Sequence, residues 1–132
     1  MPRRRQETPT EVELEILQVL WEHQPATVRK VVDVLNQSRT RAYTSILSML
    51  NIMFDKGMVT RKMKGRAHVY EARTSRDKTL GGVVRDLLGR AFNGSSASLI
   101  TQVLEQSQPT SAELDEIRQT IETWQNQEQK DA

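Results

Sequence analysis

Arg41, Thr44, Ser48 and Asn51 recur at helical spacing with Ser45 at their border, and a run of cations (Arg61, Lys62, Lys64, Arg66, then Arg73) follows shortly after. Short hydroxyl and amide side chains on a helix face can bond base edges in a major groove, and cations can bond phosphates. Neither set is equipped for covalent chemistry. The chain has no cysteine, so it has no disulfide framework, thiolate metal site or thiol nucleophile. His23 and His68 are its two histidines, far apart in sequence, and no nucleophile–base pair or metal-ligand cluster stands out. The expectation is a binding protein rather than an enzyme, with no cofactor and no small-molecule substrate.

Each of these groups also has a plainer reading. A charge run can be a solvated edge that discourages sheet aggregation. Here it follows directly on the polar helix face, which favours phosphate. Arg29 and Lys30 read equally as solvated charges or as contacts to a nucleic-acid backbone. The basic stretch Met1–Glu7, with Arg3, Arg4 and Arg5, is either a solvated tail or an arm that reaches phosphates. Glu113, Asp115 and Glu116 are explained by the positive end of a helix. Met49, Met53, Met58 and Met63 read as core filler, and Gly65 as a hairpin tip rather than a phosphate loop.

The elements that would position these residues are legible from periodicity. A helix is predicted over Thr40–Lys56, ended by Gly57, with Ile46, Met49, Leu50, Met53 and Phe54 inward. Alternating runs Met58–Lys64 and Ala67–Glu71, joined at Gly65–Arg66, predict a hairpin. Thr10-Glu11-Val12-Glu13 is a capping box that starts a first helix carrying Leu14, Ile16, Leu17, Leu20 and Trp21. Its Glu11, Glu13 and Glu15 make it scaffold rather than a DNA-facing element. Pro25 breaks it, and Thr27 caps a second helix with Val28, Val31, Val32 and Leu35 on one stripe. Asn36–Arg39 is the turn into the polar-faced helix. Three helices followed by a basic hairpin outline a winged helix-turn-helix.

Beyond it the composition changes. Residues 1–78 hold 15 Lys/Arg against 9 Asp/Glu, and residues 79–132 hold 4 against 8, so charges of +6 and −4 underlie the net +2. A polyanion suits the first half and some other partner the second. Ser75 can cap a helix carrying Leu80, Val83, Val84, Leu87 and Leu88, with Gly81 and Gly82 marking a close helix approach or a kink. After a turn at Asn93–Ser96 comes a helix with Leu99, Ile100, Val103 and Leu104. Thr110–Glu113 is a second capping box, opening a helix with Leu114, Ile117, Ile121 and Trp124, and the polar tail from Gln125 is expected to fray.

A hydrophobic share of 36% is low for one large core. The narrow stripes of the last three helices cannot by themselves offset chain entropy. Pairing with a second copy would bury them, so a symmetric homodimer is expected, which also sets two groove helices a turn or two of duplex apart. The expected organisation is a basic tail (1–9), a winged helix-turn-helix (10–74), a three-helix dimerisation region (75–125) and a polar tail (126–132). The fold class is mainly α with a small β-wing. No apolar run is long enough to span a bilayer and none follows the N-terminal cations, so a cytoplasmic protein without direct membrane binding is expected.

The sequence resembles the penicillinase repressors (BlaI/MecI/CopY-type regulators) from about Thr10 to Glu122. The resemblance rests on Thr10–Trp21 with Glu13 and Leu20-Trp21, on Pro25-Ala26-Thr27-Val28-Arg29, on Ala42-Tyr43-Thr44-Ser45-Ile46 with Lys56-Gly57, and on Lys64-Gly65-Arg66-Ala67 with Tyr70. It implies a bacterial repressor that binds inverted-repeat operators in double-stranded DNA as a dimer. Arg41, Tyr43, Thr44, Ser45 and Ser48 would meet DNA, with Lys64 and Arg66 from the wing. Arg29, Lys30 and Arg39 complete the candidate set. In antibiotic-responsive members a membrane-bound zinc protease signals induction and the repressor is cut.

The sequence departs from the pattern at three places. Ile52 stands where the groove helix commonly has an arginine. The paired C-terminal cysteines of copper sensors are absent, which argues against copper sensing. Gln102-Val103 occupies the position of the Asn-Phe bond that is cut in the antibiotic-responsive members. The alternative function, for which Ile52 leaves room, is a winged helix used for protein contact without specific DNA binding.

Overall fold

The computed structural model describes residues 8–131, so the basic arm Met1–Glu7 lies outside the described residues. Six helices and one hairpin run in the order α1 (Glu11–His23), α2 (Val28–Leu35), α3 (Tyr43–Asp55), β1 (Val59–Lys64), β2 (Ala67–Ala72), α4 (Arg76–Ala91), α5 (Ser96–Ser107) and α6 (Ser111–Asp131). They fall into two compact units, one ending at Leu87 and the other beginning at Leu88. The architecture is mainly helical with a small β-wing, as the sequence implies.

In the first unit α1, α2 and α3 enclose one core. Ile16, Leu20, Val31, Ile46, Leu50 and Met53 are wholly buried, joined by Val59 and Tyr70 of the hairpin. Met49 and Phe54 are partly buried against it, so the inward stripe of α3 is the one its periodicity predicts. Removing a buried leucine such as Leu50 costs about 2–5 kcal/mol. The capping box forms: the Glu13 amide donates to Thr10 Oγ1 (3.2 Å), and the Thr10 amide donates to Glu13 Oε1 (2.9 Å). Thr27 caps α2 by accepting from the Lys30 amide at 3.1 Å.

Three features of the first unit differ from the sequence-based expectation. The helix predicted from Thr40 starts at Tyr43. Asn36 Oδ1 accepts from the Arg41 amide (2.8 Å), and Ala42 at ψ 143° is the extended cap, so Thr40 and Arg41 stay outside the helix. Arg41 is therefore not on the α3 face. Met63 is 56% exposed and not core filler, because the hairpin outruns the three-helix core and only its base is covered. Finally, Ala26, next to the Pro25 break, pairs with Tyr70. The Ala26 amide donates to the Tyr70 carbonyl (3.1 Å) and the Tyr70 amide to the Ala26 carbonyl (2.8 Å), adding a third edge to the wing's sheet.

The hairpin register runs from Val59 opposite Ala72 to Lys64 opposite Ala67, leaving Gly65-Arg66 as a two-residue turn. Gly65 has φ +66°, which a glycine adopts without strain and which two-residue hairpin turns require. The wing's base is tied to α1, where Trp21 Nε1 donates to the Thr74 carbonyl (3.0 Å) and Gln24 Oε1 accepts from the Ala72 amide (2.8 Å).

Ser75 Oγ accepts from the Lys78 amide (3.2 Å) at the start of α4, and Ser95 Oγ from the Ser98 amide (3.1 Å) at the start of α5. α4 is a continuous helix, and a Cβ at Gly81 would meet nothing within 4 Å among the described residues. α6 continues to Asp131, past Gln125, where fraying was expected. Its Gln, Glu and Lys residues lose little side-chain freedom in a helix. None of α4 or α5 is buried. Among the described residues no helix is long and apolar enough to cross a membrane.

Candidate nucleic-acid interface

Thr44, Ser45 and Ser48 lie exposed on one side of α3, opposite buried Ile46, Leu50 and Met53. The same residue pattern that buries one stripe leaves a face of short hydrogen-bonding side chains over the first two turns, with exposed Asp55 at the C-terminal end of the same stripe. The α3 N-terminus carries Tyr43, 39% exposed, whose ring lies under the Arg29 guanidinium at 4.8 Å from Cζ to centroid. Arg29 thus braces Tyr43 from α2, an attraction of about 0.5–1 kcal/mol at an exposed site. Lys30, beside it, is exposed.

The wing divides its cations into two jobs. Arg61 turns back onto α3, its Cζ 4.0 Å from the Phe54 centroid and its Nη1 donating to Asn51 Oδ1 at 3.0 Å. It fastens strand to helix and draws Asn51 out of the free polar face. Lys62, Lys64 and Arg66 stand exposed toward the tip and make no ion pair among the described residues. Nothing in the period-two pattern separates Arg61 from its neighbours. Its role depends on Phe54 and Asn51 lying one helix away.

Arg39 and Arg41 take positions the sequence does not reveal. Arg41 Nη2 donates to both oxygens of Glu15, at 3.0 and 3.1 Å, and the two side chains are 22% and 26% exposed. Arg39 Nη1 is 3.5 Å from Glu15 Oε2 and 3.6 Å from Glu11 Oε2, with its side chain 58% exposed. The acidic first helix, read as inert scaffold, therefore reaches the residues that precede α3.

A second ion pair sets the support behind that face. Lys56 Nζ lies 2.7 Å from Glu13 Oε2 and joins the C-cap of α3 to the first turn of α1. Burial pushes the Glu13 carboxyl upward, but the hydrogen bonds from Lys56 and the Thr10 amide, with the Lys56 charge, outweigh it and hold it below the usual carboxylate range.

The residues expected at a dimer interface lie along α4, α5 and α6. Leu80, Val83, Leu88, Leu99, Leu104, Leu114 and Ile117 are half-buried. Val84, Leu87, Ile100, Val103 and Ile121 are exposed by 44–49% and Trp124 by 73%. Gln102 and Val103, at the candidate cleavage position, are both exposed within α5.

The model of a family described as penicillinase repressor matches residues 9–123. A penicillinase repressor from Bacillus licheniformis is 26% identical over 121 residues, which cover 92% of this chain and 94% of that protein. The transcriptional regulator BlaI of Mycobacterium tuberculosis is 31% identical over 87 residues, 65% of this chain and 63% of that protein. Both are named for transcriptional control rather than for an enzymatic activity. With a match that takes in both compact units, the chain belongs to the penicillinase repressor family of transcriptional regulators.

Proposed function

We propose that the chain is a transcriptional repressor that occupies an inverted-repeat operator as a homodimer and leaves it on an upstream signal. The observation that carries this is the exposed hydroxyl face at the start of α3, Thr44, Ser45 and Ser48, beside a wing whose outer cations have no ion-pair partner among the described residues. Thr44, Ser45 and Ser48 would meet base edges; Lys64, Arg66, Lys30 and Arg29 would meet phosphates; Arg39, Arg41 and Tyr43 would set the approach of α3. The winged module is assigned to residues 10–74 and self-association to 75–125. The exposed apolar side chains of α4–α6, Val84, Leu87, Ile100, Val103, Ile121 and Trp124, support a second copy as their cover. A membrane-bound zinc protease acting near Gln102-Val103 is one route for release, consistent with the exposure of both residues.

Retention of a genomic fragment pool by the protein, followed by sequencing, tests the reading. Enrichment of a palindromic site is expected. Thr44→Ala and Ser48→Ala should each lose about 1–3 kcal/mol of preference at one base pair. No enrichment over random fragments would favour the protein-contact module, for which Ile52, 46% exposed on α3, offers an apolar contact.

A further inference from the structure

Resting on that DNA-binding reading, we infer that Glu15 is a positioning residue of the interface: its carboxylate holds the Arg41 and Arg39 guanidinia against α1, and a phosphate must displace it to recruit them. Glu15 faces both cations, and Arg39 is shared with Glu11 Oε2 at 3.6 Å. Arg41 Nη2 reaches both Glu15 oxygens at 3.0 and 3.1 Å, and Arg39 shares Oε2 at 3.5 Å. Arg41 is poorly satisfied as a permanent strut, because its Nε is buried without a hydrogen-bond partner among the described residues. A buried donor left unpaired weakens the hold on its side chain. Its amide, by contrast, is anchored by Asn36 at 2.8 Å, so release of the guanidinium leaves the chain ahead of α3 in place. Arg39, the more exposed partner at the longer distance, would be freed first.

The consequence is selectivity without contact. A duplex that fits α3 gains enough from its other bonds to open the Glu15 pair, whereas a random duplex does not, so the carboxylate suppresses indiscriminate phosphate binding. An equilibrium moves only by the difference in affinity for its two states.

The test measures salt-dependent binding to a random-sequence duplex and to a site recovered from the fragment pool. Glu15→Gln removes the charge. Glu15→Asp keeps it but draws the carboxylate back by one methylene, and melting curves establish that both variants fold. Either variant should bind random duplex roughly threefold to tenfold more tightly, with a slope steeper by roughly one to two units. The gain should be smaller on the selected site, so the ratio between them falls. Glu22→Gln is the charge control, since Glu22 is 79% exposed and pairs only with His23 among the described residues. Equal steepening with Glu22→Gln would assign the effect to net charge and overturn the inference, as would wild-type slopes in both Glu15 variants. Absence of any duplex binding by the unaltered protein would instead sink the DNA-binding reading, and this inference with it.

Discussion

Lys56→Met removes one ammonium and keeps most of the side-chain stem, and its effect follows from the asymmetry of a single ion pair. Glu13 is nearly dry, its side chain 3% exposed, whereas that of Lys56 is 46% exposed. Removing one partner of a fully buried pair costs about 3–5 kcal/mol, and an exposed pair contributes about 0–1 kcal/mol. A pair dry at one end and wet at the other falls between, at about 1–3 kcal/mol near neutral pH. The Glu13 carboxyl is held below its ordinary value, so it contributes stability that is complete above that value and disappears as pH falls through the lowered native one. Lys56→Met leaves burial opposed by Thr10 alone. The difference between the two proteins is therefore largest above the ordinary carboxylate range and shrinks as pH falls through the lowered native value. Urea unfolding at fixed protein concentration measures it, because self-association would couple to stability. With a slope of about 1–1.5 kcal/mol/M, the midpoint should fall by roughly 0.7–3 M. A loss under about 0.5 kcal/mol at neutral pH, or one that does not shrink as the pH is lowered until Glu13 is protonated, would refute the reasoning.

Two more outcomes follow from the surface. Lys64→Gln with Arg66→Gln removes four phosphate-facing cations per dimer and should flatten a log–log salt slope near −5 by roughly 3–4 units, read by fluorescence anisotropy. The melting temperature should hold, since neither side chain has an ion-pair partner among the described residues. Ile121→Ser with Trp124→Ser takes two exposed apolar side chains from α6, and sedimentation at micromolar concentration should show a shift from dimer to monomer. A variant that sediments as the unaltered protein would place self-association elsewhere.

Much of this molecule is written in local pattern. The Thr10 box, the Thr27 and Ser75 caps, the inward stripe of α3 and the Gly65-Arg66 turn each depend on residues a few positions apart, where spacing dictates geometry. The start of α3 was not legible, because Asn36 captures the Arg41 amide across a turn whose path no period describes. Nor was the Ala26–Tyr70 pairing, which joins segments far apart in the chain.

By itself, then, the chain's order of residues determined the elements, their buried faces and the surplus of positive charge on the wing. Tertiary packing decided which charges remain available. It placed Glu15 between Arg39 and Arg41, turned Arg61 onto Phe54 and Asn51, and left Lys62, Lys64 and Arg66 in water. The physical reason is distance. A side chain's local preferences extend over about one helical turn, whereas an ion pair is set by whatever the fold brings within about 4 Å, and here that is a carboxylate twenty-six residues away from Arg41.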